Sequence, residues 1–302
     1  MKIREPVVAG QFYPERESEC RRDVVRLLDA ARGGASTDDA SIEGTLVGGI
    51  VPHAGWIYSG GVAARVFAAL AGSKAPDSIV LFGGVHGYRG SEAALFGGGC
   101  WNTPLGPVGI DERLASRILG ETDLIVEDPD AHTGEHSLEV QIPFLQHLFP
   151  DTAIVPIMVP PTGTACDVGR AVGAVLKGHD KRTLVIGTTD LTHYGPRYGF
   201  TPRGDGPDAH RWAKEENDAR FIDLMCAMEC QRLVGEATAH RNACSSGAAA
   251  ATIAAVTVLG ACRGTLLEHT TSSEVLAGRF GGSDTGLVGY AAIVFSRLPD
   301  ES

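Results

Sequence analysis

The chain has 302 residues, 43% of them hydrophobic, with 39 glycines spread along its length, the composition of a folded globular protein rather than a disordered one. Its 26 basic and 37 acidic residues leave a net charge of −11, which opposes polyanionic partners and excludes nucleic acid, whose phosphates need a basic surface. The opening MKIREPVVAGQFYP holds no apolar core of signal-peptide length and no uninterrupted apolar window of the ~18 residues a membrane span needs occurs anywhere, so a cytoplasmic protein with no membrane partner is expected.

Apolar periodicity and turn residues predict strands at 45–51, 78–84 and 93–97, with a helix at 60–71 between the first two. A turn at Thr103-Pro104-Leu105-Gly106 precedes a helix at 111–120, then a strand at 123–127, a helix at 137–148 and a strand at 153–159. A helix at 165–177 leads to a strand at 183–188, and the last third reads as helices at 209–228, 230–236 and 244–259 followed by strands at 264–269 and 286–296. Polar, glycine-rich stretches at 30–43 and 201–209 read as loops, neither long enough to force a domain boundary. The alternation of strand and helix argues for one α/β domain over 1–302, layered α/β/α around a mixed, largely parallel sheet.

Three apolar runs end near a histidine: GGIVPHAG at His53, SIVLFGGVHG at His86 and LVIGTTDLTHYG at His193. Strands this apolar are covered on both faces, as in a parallel sheet, and ligands collect at the carboxyl ends of such strands. The 33-residue interval from His53 to His86 fits one βαβ unit, which would set the two rings on neighbouring strands about 5 Å apart, close enough to share a cation. A lone histidine in that position is more often a hydrogen-bonded structural residue, and it is the pairing that favours ligation.

Around the third run, Asp190 lies three residues before His193, so one helical turn would put both on one face. Either Asp190 orients His193 as a general base, or it caps a short helix whose end His193 covers. His136, at the start of the predicted 137–148 helix, can project into a cleft, whereas Glu135 and Glu139 are accounted for by the helix macrodipole. Cys244 opens the 244–259 helix, where a thiol becomes more acidic and suits metal ligation or nucleophilic attack.

The other expectations are plainer. Seven cysteines, an odd number with no CxxC pair, read as thiols; Cys226 and Cys230 could form a ligand pair, but packing in the core is the commoner use. His147, His179, His210 and His269 read as surface residues, and Trp56, Tyr58 and Trp101 as pocket-lining or packing aromatics. Glycine-rich turns can hold phosphate, but the stretch from Gly55 to Gly61 has no lysine and no P-loop occurs.

Taken together, REPVVAGQFYP at 4–14, PHAG at 52–55, TPLG at 103–106, EHSLE at 135–139, TDLTHYG at 189–195 and GYAA at 289–292 resemble the Memo family, the protein B component of AmmeMemoRadiSam systems, in order along nearly the whole chain. The resemblance implies a fold like that of class III extradiol dioxygenases. It implies His53, His86 and Cys244 as metal ligands and His136, Asp190 and His193 as further cleft residues. Two positions depart from the family pattern: His86 is followed by Gly87 where many relatives carry a second histidine, and Cys244 by Ser245 where relatives have glycine.

These residues suggest an enzyme holding non-haem Fe(II), with copper or zinc as other possible ions, that acts on a small-molecule substrate. In that scheme His193, supported by Asp190, takes a proton, and His136 hydrogen-bonds the substrate. Zinc on the same ligands would instead suit hydrolysis, and a third reading is a non-catalytic module that binds a peptide or redox metal. The family also implies a functional link to a radical SAM protein.

Overall fold

The computed structural model describes residues 2–33, 42–72, 74–280 and 286–298; within the predicted 30–43 loop, positions 34–41 lie outside the described residues. In chain order the strands are β1 (Ile3–Arg4), β2 (Thr45–Val51), β3 (Ser78–Gly83), β4 (Ala93–Leu95), β5 (Cys100–Thr103) and β6 (Gly106–Gly109). They continue with β7 (Ile125–Glu127), β8 (Ala153–Met158), β9 (Thr183–Thr188), β10 (His193–Tyr194), β11 (Arg263–Thr271) and β12 (Leu287–Arg297). The α-helices are α1 (Glu17–Gly33), α2 (Trp56–Ala71), α3 (Glu112–Glu121), α4 (Ile142–Leu148), α5 (Ala165–Lys177), α6 (Pro207–Trp212), α7 (Ala219–Cys226), α8 (Cys230–His240), α9 (Ser246–Val258) and α10 (Ser272–Phe280).

Nine strands form one mixed sheet in the order β10-β12-β2-β9-β3-β8-β4-β7, with β11 also paired to β12. Its centre, β2-β9-β3-β8, is parallel, while β12 and β4 run antiparallel to their inner neighbours. The central strands are buried along nearly their whole length, because each face carries its own helices. Ile50, Val80, Phe82, Val155, Ile157 and Val185 pack with α3, α5, α7, α8 and α9 on one side. Ile79, Leu81, Ile154, Leu184 and Ile186 pack with α1, α2 and α4 on the other. This is the expected layered α/β/α arrangement, driven by burial worth about 1.5–3 kcal/mol for each large apolar side chain. A small second sheet, β1-β5-β6, lies beside it.

Three differences from the sequence-based expectation matter for the site. First, β2 and β3 are not neighbours: β9 lies between them, parallel to both. A 33-residue crossover that skips one position is as feasible as one that does not, and β9 fills the gap much later in the chain. Second, the predicted 137–148 helix shrinks to α4 preceded by a 3₁₀ turn at Glu139–Gln141, so His136 sits in irregular backbone. Third, Asp190 and His193 do not share a helical turn: residues 189–192 are non-helical and His193 enters β10, paired with Val288 of β12.

The predicted 209–228 helix forms as α6, a π-helical stretch Ala213–Asp218 and α7. α9 starts at Ser246, two residues beyond Cys244, and is buried on nearly every side. Its alanines let α5 approach closely: a Cβ on Gly169 would collide with the backbone of Ala251. Among the described residues no helix is long and apolar enough to cross a membrane.

Candidate metal centre

The strand ends of β2, β9 and β3 lie side by side, and each is extended by a loop that carries site residues. His53 follows β2 by two residues and is buried, with 2% exposure. His86 follows β3 by three. Although their strands are separated by β9, and so by roughly 10 Å at strand spacing, the ring centroids of His53 and His86 are 5.3 Å apart. The loops close the gap over the end of β9. His136 joins from the far side, with ring centroids 5.6 Å from His53 and 4.5 Å from His86. One ring nitrogen from each of the three lies within 4.8 Å of the other two, a spacing that can hold a metal ion.

Close packing forces this convergence. The loop after β3 passes directly against Ser245: a Cβ on Gly84 would overlap that hydroxyl, and the Gly84 N–H donates to Ser137 Oγ at 3.1 Å. Cys244 is thereby delivered to the same point, its Sγ 3.2 Å from His53 Nε2. Asp190 at the end of β9 ties the pieces together. Its Oδ1 accepts the His53 N–H at 2.8 Å, its own N–H donates to Cys244 Sγ at 3.2 Å, and its carbonyl accepts the Cys244 N–H at 3.1 Å.

Asp190 therefore orients His53 and Cys244, not His193 as the helical-turn reading expected. His193 Nδ1 lies 3.0 Å from the Leu191 carbonyl. A carbonyl only accepts, so Nδ1 is the donor in this contact.

Glu135 is the residue that sequence reasoning undervalued. It is 3% exposed and accepts from His86 Nδ1 at 2.9 Å, from the His86 N–H at 2.9 Å and from the Ser137 N–H at 2.8 Å. Burial alone would raise its pKa, but the bonds and charge from His86 and the backbone donors outweigh that and hold it well below the usual carboxylate range. For His86, burial opposes the charge while the Cys244 thiol and Glu135 favour it, and the ring is pushed up to about 9. His136 goes the other way, down to about 4, through burial and the neighbouring His53 and His86. Glu139 is also no mere helix-start acid: it is fully buried and pairs with Arg4 at 2.6 Å, while accepting the Val7 and Val8 N–H groups and the Tyr13 hydroxyl. The only sequence hint for both acids was their place beside His136 in the EHSLE block.

His136, Asp190 and His193 line one cavity of about 490 Å³, together with Phe12, Tyr58, Tyr198 and Tyr290. Of the aromatics singled out in the sequence, Tyr58 is on its wall, whereas Trp56 donates to the Val140 carbonyl in the core and Trp101 is buried under the Arg4 guanidinium. His269 is not a lone surface residue: its Nε2 meets Asp218 at 3.0 Å. His179 likewise contacts Arg117, at 2.7 Å. Cys226 and Cys230 pack against the core, the plainer of their two readings.

An α/β sandwich with a candidate metal centre at the carboxyl edge of its parallel strands defines the class. The model of Memo-like proteins matches residues 4–294. A MEMO1 family protein of Methanopyrus kandleri is 36% identical over 97% of this chain and 99% of its own. One from Pyrobaculum aerophilum is 33% identical over 98% and 100%, and one from Methanothermobacter thermautotrophicus 35% identical over 96% and 99%. The chain belongs to the Memo family. In fold it is similar to an uncharacterized protein of Escherichia coli K12, with a TM-score of 0.53 at 13% identity over 83% of this chain and 99% of that one.

Proposed function

We propose that this protein is a metal-dependent oxidoreductase acting on a small molecule, with Fe(II) held by His53, His86 and Cys244. The observation that carries this reading is the meeting of three imidazoles and a thiol beside a cavity lined by His136, Asp190 and His193. The donors suit an ion. His53 Nδ1 is buried and has no hydrogen-bond partner among the described residues. Glu135 engages Nδ1 of His86, leaving Nε2 as donor, in the manner of carboxylate–histidine pairs at metal sites. A mixed nitrogen and sulfur set favours iron, copper or zinc over magnesium or calcium. When bound, the ion would supply Lewis acidity and, as iron, one-electron redox chemistry.

The protein's own residues do the rest. His193, on the cavity wall, takes a proton from a substrate hydroxyl. His136, neutral at pH 7, faces both the donor cluster and the cavity and hydrogen-bonds the substrate. Phe12, Tyr58 and Tyr290 give the cavity an aromatic wall. Asp190 keeps His53 and Cys244 in register.

The test is anaerobic purification with elemental analysis of the parent and of His53→Ala, Cys244→Ser and His193→Ala, followed by oxygen-uptake measurements on a panel of small aromatics. Stoichiometric iron is expected in the parent and in His193→Ala, with loss from the other two and oxygen uptake in the parent alone. Iron content indifferent to His53 and Cys244, zinc in place of iron, or metal without turnover would overturn the reading. Loss of iron from His193→Ala would make that residue a ligand rather than the base.

A further inference from the structure

Against Thr192 of the 189–193 loop lies a second polar assembly that the proposed chemistry does not use. Asp218 closes the π-helical stretch Ala213–Asp218 and is fully buried. One carboxylate oxygen accepts the Thr192 N–H at 2.9 Å and the other meets His269 Nε2 on β11 at 3.0 Å. Next to it, Asn217 donates to Thr192 Oγ1 at 3.0 Å and to the His240 carbonyl at 3.1 Å. Strand β12 makes room for this contact: a Cβ on Gly289 would overlap the Asp218 carboxylate. The same glycine accepts the Leu191 N–H at 2.8 Å and donates to the Thr192 carbonyl at 3.0 Å.

A buried carboxylate is costly unless paired and hydrogen-bonded. Burial pushes the Asp218 pKa up against the opposing effects of His269 and Thr192. The expense is placed where it acts on the site. Residues 190–192 are gripped at both ends, Asp190 by His53 and Cys244, and Thr192 by Asp218 and Asn217. A π-helical turn is the local distortion that brings Asn217 and Asp218 together onto Thr192, and such turns frequently accompany functional sites.

We propose that the Asp218–His269 pair is a positioning device: through the Thr192 backbone it fixes where Asp190 and His193 stand relative to Cys244 and His53. The proposal rests on the metal-centre reading above, and its test carries one readout that does not depend on metal. The variants are Asp218→Ala, Asp218→Asn, which keeps a carbonyl acceptor for Thr192, and His269→Gln, whose partly exposed position tolerates change. The first readout is Co(II) affinity together with the visible absorption of the Co(II)-loaded protein. The second is the rate of Cys244 alkylation by iodoacetamide in the metal-free protein, followed by peptide mass spectrometry.

For Asp218→Ala we expect Co(II) binding at least ~10-fold weaker, a displaced Co(II) spectrum and an alkylation rate changed severalfold, all substantially rescued in Asp218→Asn. His269→Gln should shift both readouts in the same direction by less, which keeps the test decisive if Asp218→Ala does not fold. Folded variants that keep the parental spectrum, affinity and alkylation rate would overturn the proposal while leaving the metal centre intact. A parent that takes up no Co(II), with Cys244 reactivity still changed in the variants, would sink the metal reading and leave the positioning role standing.

Discussion

At the scale of single residues, the polar groups beneath the site decide more than their number suggests. Arg4, Glu135 and Glu139 are each nearly or fully excluded from solvent, and Arg4, donating to the His132 and Glu135 carbonyls and pairing with Glu139, stitches the amino-terminal segment to the 132–139 stretch that carries His136. His132 belongs to the same group: it is fully buried, its Nε2 lies 3.0 Å from the Ala94 carbonyl, and burial, aided by Arg4, lowers its pKa from 6.5 to about 4. Between those values the unfolded chain binds a proton that the folded chain refuses, so stability is full above about 6.5 and falls as pH drops toward 4. From pH 7 to pH 5 this one ring costs about 2 kcal/mol. Urea unfolding at the two pH values should show that loss in the parent and a smaller one in His132→Gln; equal losses would remove His132 as the cause. The residue types at the site were legible because histidine, cysteine and aspartate stand out after apolar runs. Their pairing was not, since Asp190 reaches His53, 137 positions away in sequence, and local spacing pointed it toward His193.

At the scale of elements, the strands were readable because burial on both faces leaves β2, β3 and β9 mostly apolar residues and glycine, with Ser or Thr confined to their ends. Their order was not, because the strand between β2 and β3 comes from residues 183–188, and nothing local announces an insertion. Helix α1 escaped notice because its charged composition, ESECRRDVVRLLDAARG, hides the buried stripe of Cys20, Val24, Leu27, Leu28 and Ala31. The loop after β3 depends on Gly84 for its passage by Ser245. Gly84→Ala is therefore expected to push the loop away from the start of α9, separating His86 from Cys244 and weakening metal binding ~10-fold or more, with a modest loss of thermal stability. Calorimetric titration with metal checks this; unchanged affinity would show that the loop moves freely of α9.

At the scale of the whole molecule, the site draws on distant parts of the chain. β12, near the carboxyl end, pairs with β2 and holds the 191–192 backbone through Gly289. The amino-terminal segment supplies Phe12 to the cavity wall and Arg4 to the buried pair. The likeness to Memo-like proteins accordingly runs from residue 4 to residue 294 rather than clustering around the histidines: the α/β scaffold gathers three imidazoles and a thiol from four segments far apart in sequence. The central claim, that His53, His86 and Cys244 close on one ion, is tested most directly by X-ray absorption spectroscopy of the iron-loaded parent beside Cys244→Ser. Imidazole scattering together with a single sulfur neighbour is expected in the parent, and loss of the sulfur alone in the variant. A first coordination sphere of oxygen without imidazole or sulfur, or one identical in the two proteins, would contradict it.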